Sequence, residues 1–322
     1  MAAPINRLEL IITERCNSRC RHCCFRTSPN GGDMPGEDAV RWIGEAASLG
    51  SLDSLLLFGG EPMLAPRVVL AAIEAGARIP RIDMITNAFW ARTEESARHW
   101  IERLSGSGLR RIVLSVDAFH AEYVPVGCVR RASEAAVAAG MRVTWNVAVL
   151  RRGSSASPRP RSGSTQRPNV PSLPDDERTW QIIEELRTIS DDVNENEVLP
   201  AGRALENFAH LYERRAGVPT GPCPGPGFGG TLEAPTVITM RPNGDAEICW
   251  GIRIGNAKRA SLVDIVAGYD PRSNAVIATL IEHGPAGLLE LAAASGFRPK
   301  LGYVDACELC HDAVSYMGRC GN

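Results

Sequence analysis

The chain has 322 residues, 44% of them hydrophobic, and a formal net charge of −2 at pH 7. This composition suits a globular protein with one large core or two modest ones, and the balanced charge excludes a general basic surface for nucleic acid. The first 15 residues carry four charges around a short apolar run, which is too short and too charged for a signal peptide or a membrane span. We therefore expect a cytoplasmic protein without nucleic-acid or membrane partners, in which ten cysteines serve metal binding or catalysis rather than disulfides.

Strand-like and helix-like segments alternate over residues 1–205, which we interpret as the first domain. Candidate strands cover residues 8–13, 54–58, 81–86, 111–116, 142–150 and 192–199. Candidate helices cover residues 35–48, 66–75, 93–104, 130–139 and 175–189. This alternation predicts an α/β fold with a parallel sheet and right-handed crossovers, and periodicity alone allows either a six-unit partial barrel or a doubly wound sheet.

Two later stretches break this rhythm. Residues 151–174 are rich in Ser, Pro, Arg and Gly, which predicts a flexible loop or, on the active-site face of a barrel, a lid. Residues 206–322 are predicted to form a second, cysteine-bearing domain. It begins with an irregular segment at 221–227 and a hairpin at 236–240 and 245–250, and continues with short helices at 261–267, 273–282 and 286–294.

Three cysteines follow the first candidate strand in the spacing C-x3-C-x2-C, at Cys16, Cys20 and Cys23. Three thiolates can hold three irons of a [4Fe-4S] cube and leave the fourth iron open to a small molecule. Such spacing also occurs in zinc sites, so the cysteines alone leave both metals open.

The sequence Gly59-Gly60-Glu61-Pro62 follows the second candidate strand. Together with the cysteine triplet, in which His22 holds the position of an aromatic residue, this motif resembles the signature of the radical S-adenosylmethionine (radical SAM) enzymes. The resemblance covers roughly the first two hundred residues. It implies a partial (β/α)6 barrel, a [4Fe-4S] cluster on the three cysteines and S-adenosylmethionine as co-substrate at the open iron.

The resemblance also implies cofactor-binding residues at the strand ends. Glycines allow close backbone approach, and a carboxylate can accept hydrogen bonds from the ammonium group of the cofactor. On this basis the predicted cofactor-binding residues are His22, Gly59, Gly60, Glu61, Asn87, Ser115 and Arg203, with Asp117 and His120 as further contacts to cofactor or substrate.

Five cysteines lie in the second half: Cys223, Cys249, Cys307, Cys310 and Cys320. This half resembles the shortened auxiliary-cluster domain (Twitch or SPASM type) of some radical SAM enzymes, which implies a second [4Fe-4S] cluster with four cysteine ligands. We expect Cys223, Cys307, Cys310 and Cys320 to be the ligands and Cys249 to be free as a hydrogen donor. Spacing alone equally allows Cys249 as a ligand with Cys320 spare.

The whole pattern most resembles radical SAM epimerases of aminoglycoside biosynthesis. This resemblance implies an aminoglycoside substrate and an external one-electron reductant of flavodoxin or ferredoxin type. A polyamine substrate calls for carboxylates, for which the candidates are Asp117, Glu195, Glu197, Glu233 and Glu247. The alternatives are a radical SAM aminocyclitol dehydrogenase that passes an electron to the auxiliary cluster, a peptide-modifying radical SAM enzyme, and a non-catalytic iron–sulfur electron carrier.

Overall fold

The computed structural model describes residues 5–25, 27–150, 173–212, 214–223, 225 and 229–320. Most of the predicted flexible loop at 151–174 thus lies outside the described residues, and Pro174 already begins a helix.

Six parallel strands form the larger part of one sheet, as predicted. They pair in chain order and comprise β1 (Arg7–Thr13), β2 (Ser54–Gly59), β3 (Arg81–Thr86), β4 (Arg111–Ser115), β5 (Arg142–Val149) and β6 (Val193–Glu197). The helices of this half are α1 (Gly36–Ser48), α2 (Pro66–Ala75), α3 (Glu94–Ser107), α4 (Ala118–Ala121), α5 (Val126–Ala138), α6 (Pro174–Leu186) and α7 (Gly202–Phe208). The α/β fold with a mostly parallel sheet is therefore confirmed.

Three strands from the second half extend the same sheet beyond β1. They are β8 (Val237–Met240), β9 (Asp245–Cys249) and β10 (Ile252–Asn256). The predicted hairpin is present, because β8 and β9 are antiparallel and Gly244 takes a left-handed conformation at φ +91° in the connection. Since β8 pairs in parallel with β1, the sheet is continuous across the predicted domain boundary at residue 205. A separate two-stranded sheet joins β7 (Arg215–Ala216) to β11 (Gly302–Tyr303).

Three helices follow the sheet: α8 (Leu262–Ala267), α9 (Ala275–Ala293) and α10 (Ala306–Cys320). The two predicted helices at 273–282 and 286–294 lie within α9, which bends at Gly284 (φ +65°) just before Pro285. Helix α9 is long and apolar enough to cross a membrane by length and composition, a criterion that core helices of soluble proteins also meet. The sequence patterns did not predict α10, which carries three of the late cysteines.

The two faces of the sheet differ in chemistry. On β1, Leu8, Leu10 and Ile12 are completely buried in the core against the helices. The opposite face carries buried polar groups, and Glu9 accepts a hydrogen bond from Thr239, its partner in register on β8, at 3.0 Å. Because side chains alternate between the faces of a strand, this pattern separates an apolar layer from a polar inner face.

Candidate functional site

The loop that follows β1 carries the cysteine triplet and brings the three thiols together. Burial raises the pKa of Cys16 to about 11, and the nearby Glu61 and Cys23 add to this rise. Burial also raises the pKa of Cys20, with further contributions from Asp117, Cys16 and Cys23. Thiols that raise one another's pKa in this way need a cationic group among them before they ionise, and a metal cluster provides one.

Helix α7, which follows the last parallel strand β6, packs against the cysteine loop. Gly202 has φ +54°, and a Cβ there would overlap the carbonyl oxygen of Cys24. The next residue, Arg203, donates its backbone N–H to the carbonyl of Cys23 at 3.0 Å and its side-chain Nε to the carbonyl of Cys20 at 3.1 Å. Burial raises the pKa of Cys23, and the charge of Arg203 opposes that rise. Arg203 thus lies against the cysteines, and its predicted contact with S-adenosylmethionine stays a prediction.

The Gly59-Gly60-Glu61 turn packs directly on the start of the cysteine loop. A Cβ on Gly60 would overlap the carbonyl oxygen of Arg15, so only glycine fits. Glu61 accepts hydrogen bonds from Met63 N at 3.1 Å, Thr86 Oγ1 at 2.7 Å and Asn87 N at 2.8 Å. Its burial raises the pKa to about 7. Glu61 therefore ties the end of β2 to the end of β3.

The other predicted cofactor-binding residues lie at neighbouring strand ends. Asn87 follows β3 and donates its side-chain amide to Asn17 Oδ1 at 2.9 Å, which links β3 to the cysteine loop. Ser115 ends β4 and is buried. The carboxyl ends of β2, β3 and β4 thus place Gly59, Gly60, Glu61, Asn87 and Ser115 at one edge of the sheet.

His22, Asp117 and His120 form a compact group beside the triplet that sequence reasoning did not assemble. His120 Nδ1 lies 2.8 Å from Asp117 Oδ2, and the rings of His22 and His120 are 4.7 Å apart. Burial lowers the pKa of His22 to about 3. Asp117 also accepts backbone hydrogen bonds from Phe119, His120 and Ala148, so its carboxylate is fully engaged. The Asp-x-x-His spacing at a helix start is a signal that could have found this pair.

The cysteine loop fits a bound cluster. Ser18 Oγ and His22 Nδ1 are buried without a hydrogen-bond partner among the described residues, as expected where a bound group completes the site. Within that same part of the chain, His22, Asp117 and His120 form the one group of three or more His, Cys, Asp or Glu residues whose ligating atoms all lie within 4.8 Å of one another. The cysteine sulfurs are more widely spread, which suits a four-iron cube better than a single zinc ion.

A second cysteine group forms between the irregular segment, β9 and α10. Burial raises the pKa of Cys310, and Cys249, Cys223 and Cys307 contribute further. Three of the predicted ligands therefore lie together, and Cys249 lies with them. Cys320 is the last residue of α10, and its side chain is outside the described part of the structure.

An aromatic chain joins the two cysteine groups. Trp250, which follows Cys249, packs its ring 5.5 Å from that of Phe25, two residues after Cys23. Phe25 in turn packs 6.0 Å from Phe58 of β2. The end of β9 is thereby held next to the cysteine loop of the first site.

Comparisons with known proteins agree with this geometry. Residues 10–157 match the model of the Radical SAM superfamily. GTP 3′,8-cyclase of Synechococcus sp. (strain CC9902) is 34% identical over 125 residues, which cover 38% of this chain and 34% of that protein. The chain spans between about a third and a half of the length of the curated relatives it matches.

Two solved structures share the fold. The anSMEcpe structure with bound AdoMet and Cp18Cys peptide has a TM-score of 0.52 at 12% identity, over 99% of this chain and 98% of that one. Streptococcus suis SuiB bound to S-adenosylmethionine has a TM-score of 0.51 at 16% identity, over 83% and 66%. Residues 10–157, which carry the cysteine triplet, thus match the Radical SAM superfamily, whose enzymes use a [4Fe-4S] cluster and S-adenosylmethionine, and the two solved structures share the fold of the chain.

Proposed function

We propose that the protein is a radical SAM epimerase of aminoglycoside biosynthesis that inverts C-5‴ of neomycin C and yields neomycin B. The observation that carries this proposal is the position of Cys249. This half-buried thiol ends β9, and its neighbour Trp250 packs on Phe25 of the cysteine loop. This proximity to the cysteine loop supports Cys249 as the hydrogen donor.

When bound, the cluster and S-adenosylmethionine supply a 5′-deoxyadenosyl radical that removes hydrogen from an unactivated carbon. The residues of the chain then decide the outcome. Cys249 can donate its thiol hydrogen to the substrate radical because an S–H bond is weaker than a sugar C–H bond. It donates from the face opposite to the one that lost hydrogen. The carbon regains one hydrogen with inverted configuration. The external one-electron reductant would then supply one electron and the solvent one proton to restore the thiol, and S-adenosylmethionine is consumed in each turnover.

The substrate is a polycation, so exposed carboxylates near the second cysteine group should bind its ammonium groups. Asp117 is engaged by His120, and Glu247 accepts from Arg241 Nε at 2.6 Å. Glu233 is exposed and lies close enough to Cys223 to raise the pKa of that thiol, after the larger effect of burial. Among the predicted carboxylates, Glu233 is thus the first candidate for an ammonium contact.

Isotope labelling tests the reaction class. The protein is reconstituted without oxygen and given S-adenosylmethionine, a chemical reductant and neomycin C in D2O. An epimerase with an exchangeable thiol donor yields an isomer of neomycin C that is heavier by one deuterium. A product lighter by two hydrogens would replace this proposal with dehydrogenation.

The Cys249→Ala variant tests the donor. It should still form 5′-deoxyadenosine but should no longer invert the substrate, while its iron and sulfide content stays at the wild-type value. Cys128→Ala is the matched control, because Cys128 is buried on α5. It should leave inversion intact. Loss of the second cluster from Cys249→Ala would show that Cys249 is a ligand instead.

One observation favours a second candidate, a radical SAM aminocyclitol dehydrogenase. Cys249 lies close enough to Cys310 to raise the pKa of that thiol, as do Cys223 and Cys307. If Cys249 completes the ligand set, no donor thiol is left, and the substrate radical would lose its electron to the auxiliary cluster. The iron count of Cys249→Ala and the mass of the product separate the two candidates.

A further inference from the structure

A pocket of about 410 Å³ opens beside the cysteine loop, away from the second cysteine group. We call it the loop-side pocket and define it by Asn17, Phe89, Arg92, Tyr123 and Arg131. These residues come from the cysteine loop, the connection between β3 and α3, and the segment from α4 to α5. None of them belongs to the cysteine groups described above.

The lining of the loop-side pocket is cationic. Among the described residues that line it are the two guanidinium groups of Arg92 and Arg131 and no carboxylate. Arg92 is exposed, and neither arginine forms an ion pair in the part of the chain that the structure describes. The adjacent Glu122 is neutralised by Arg21 at 2.6 Å. An anionic partner would therefore meet two cations that form no ion pair with any described residue.

The wall of the pocket is held rigidly. The loop after β3 is fixed at one end by Asn87, which donates its backbone N–H to Glu61, and at the other by Arg131, which donates Nε to the carbonyl of Ala91 at 2.9 Å. Between them Ala88 has φ +61°, a conformation that a non-glycine residue adopts only when its surroundings enforce it. Such a preformed surface loses little entropy when a partner binds.

The pocket is also close to the cluster-binding cysteines. Asn17 directly follows Cys16 and is exposed, so a partner that touches Asn17 comes within one residue of a predicted cluster ligand. A second cavity, of about 500 Å³, lies at the amino ends of β3 to β5, at the far end of the sheet from this loop, and is lined by Arg81, Arg110, Arg111 and Arg142 together with Asp83. An electron that entered there would have to cross the length of the strands.

We propose that the loop-side pocket is the docking surface for an acidic, flavodoxin-like electron-donor protein. Its two arginines attract the acidic surface, while Phe89 and Tyr123, the latter 43% exposed, offer aromatic contacts to a flat ring at the surface of the donor. In this step the donor loses one electron, the cluster gains it, and no bond forms or breaks. The inference rests on the proposed cluster at Cys16, Cys20 and Cys23.

Direct binding of a flavodoxin to the reconstituted holoenzyme, with the cluster oxidised, tests the surface without any turnover. At low salt, Arg92→Glu should weaken binding by about tenfold, a size typical for reversal of one interfacial charge. Arg78→Glu is the matched control. Arg78 is exposed just before β3, at the opposite end of the sheet, and its reversal should leave the affinity unchanged.

Cluster reduction gives a second readout, followed by the loss of visible absorbance. Arg92→Glu should slow reduction by flavodoxin and leave reduction by dithionite at the wild-type rate. Arg92→Gln, which removes the charge without reversing it, should fall between wild type and Arg92→Glu. Equal affinity of wild type and Arg92→Glu, an equal loss in Arg78→Glu, or no flavodoxin binding by the wild type would overturn the docking surface. A wild type that binds flavodoxin but yields no inverted product with dithionite would instead overturn the proposed function alone.

Discussion

The two cysteine groups of this protein are built in different ways. The triplet at Cys16, Cys20 and Cys23 lies at the carboxyl edge of a parallel sheet, between the buried Glu61 and Arg203 at the start of α7. The second group draws its cysteines from an irregular Pro- and Gly-rich segment, a hairpin strand and the last helix. The difference teaches that the first group is supported by the ends of regular strands, whereas the second group depends on how an irregular segment and the last helix pack on a hairpin.

The sharpest way to separate the two groups is to remove one cysteine from each. Cys20→Ala should abolish 5′-deoxyadenosine formation, because Cys20 is a ligand of the first cluster in our assignment. Cys310→Ala should keep that activity and lose only inversion of the substrate. Chromatography of 5′-deoxyadenosine, together with iron counts that fall by about half in each variant, checks both. Full S-adenosylmethionine cleavage by Cys20→Ala would contradict the assignment.

The support that α7 gives to the triplet can be broken at Gly202. A Cβ there meets the carbonyl oxygen of Cys24 at positive φ, so Gly202→Ala should lower the free energy of unfolding by about 2–4 kcal/mol. Gly140 also has positive φ, at +74°, but a Cβ there meets nothing within 4 Å. Gly140→Ala should therefore cost only about 1 kcal/mol. Urea unfolding of the two variants measures the difference, and equal losses would show that backbone strain alone matters.

The pair of Asp117 and His120 gives the first group a pH dependence. Burial opposes ionisation of both, but their mutual attraction lowers the pKa of Asp117 to about 2 and raises the pKa of His120 above its usual value. The stabilisation by charged His120 is thus fully present below its ordinary pKa near 6.5 and is lost as pH rises through the folded value. Urea unfolding should show wild type more stable than His120→Asn by about 1.5–3 kcal/mol at pH 6. The gap should shrink at pH 9, and a gap that widens with pH would contradict this assignment.

The smallest expected effect concerns the contact between the groups. Trp250→Leu removes the ring that packs on Phe25 and should lower stability by about 0.5–1.5 kcal/mol. Trp250→Phe keeps an aromatic ring and should lose less. Both variants should retain the iron of both clusters, and thermal unfolding with iron analysis measures the outcome. Loss of the first cluster from Trp250→Leu would mean that the two groups are not independent.

Local patterns predicted the parallel half of the fold well. The strand at Arg81–Thr86 and the helix at Pro66–Ala75 have the predicted bounds, because apolar periodicity and flanking turn residues act within one segment. The pairing of β8 with β1 could not be predicted in this way. It joins Val237 to Arg7 across more than two hundred residues, and no local periodicity encodes such a partner.

In the site, too, local motifs could be predicted, whereas contacts between distant segments could not. The triplet was found from its spacing and the glycines of the turn after β2 from their resemblance to a family motif, and the structure packs this turn against the start of the cysteine loop. The position of Arg203 against the cysteine loop was not predicted, because it depends on how α7 docks. Helix α10 was missed, whereas the proximity of Cys249 to Cys310 belongs to one of the two ligand assignments that spacing left open.

The parallel pairing of β8 with β1 has a consequence for any shortened form of this chain. Leu8, Leu10 and Ile12 belong to a strand that is flanked on both sides only once residues 237–240 are in place. A chain cut at residue 205 would expose an unpaired, strongly apolar edge strand, which invites edge-to-edge association between molecules. By pairing β8 with β1, the second half of the protein thus prevents self-association of the first half. This effect is independent of the chemistry of its cysteines.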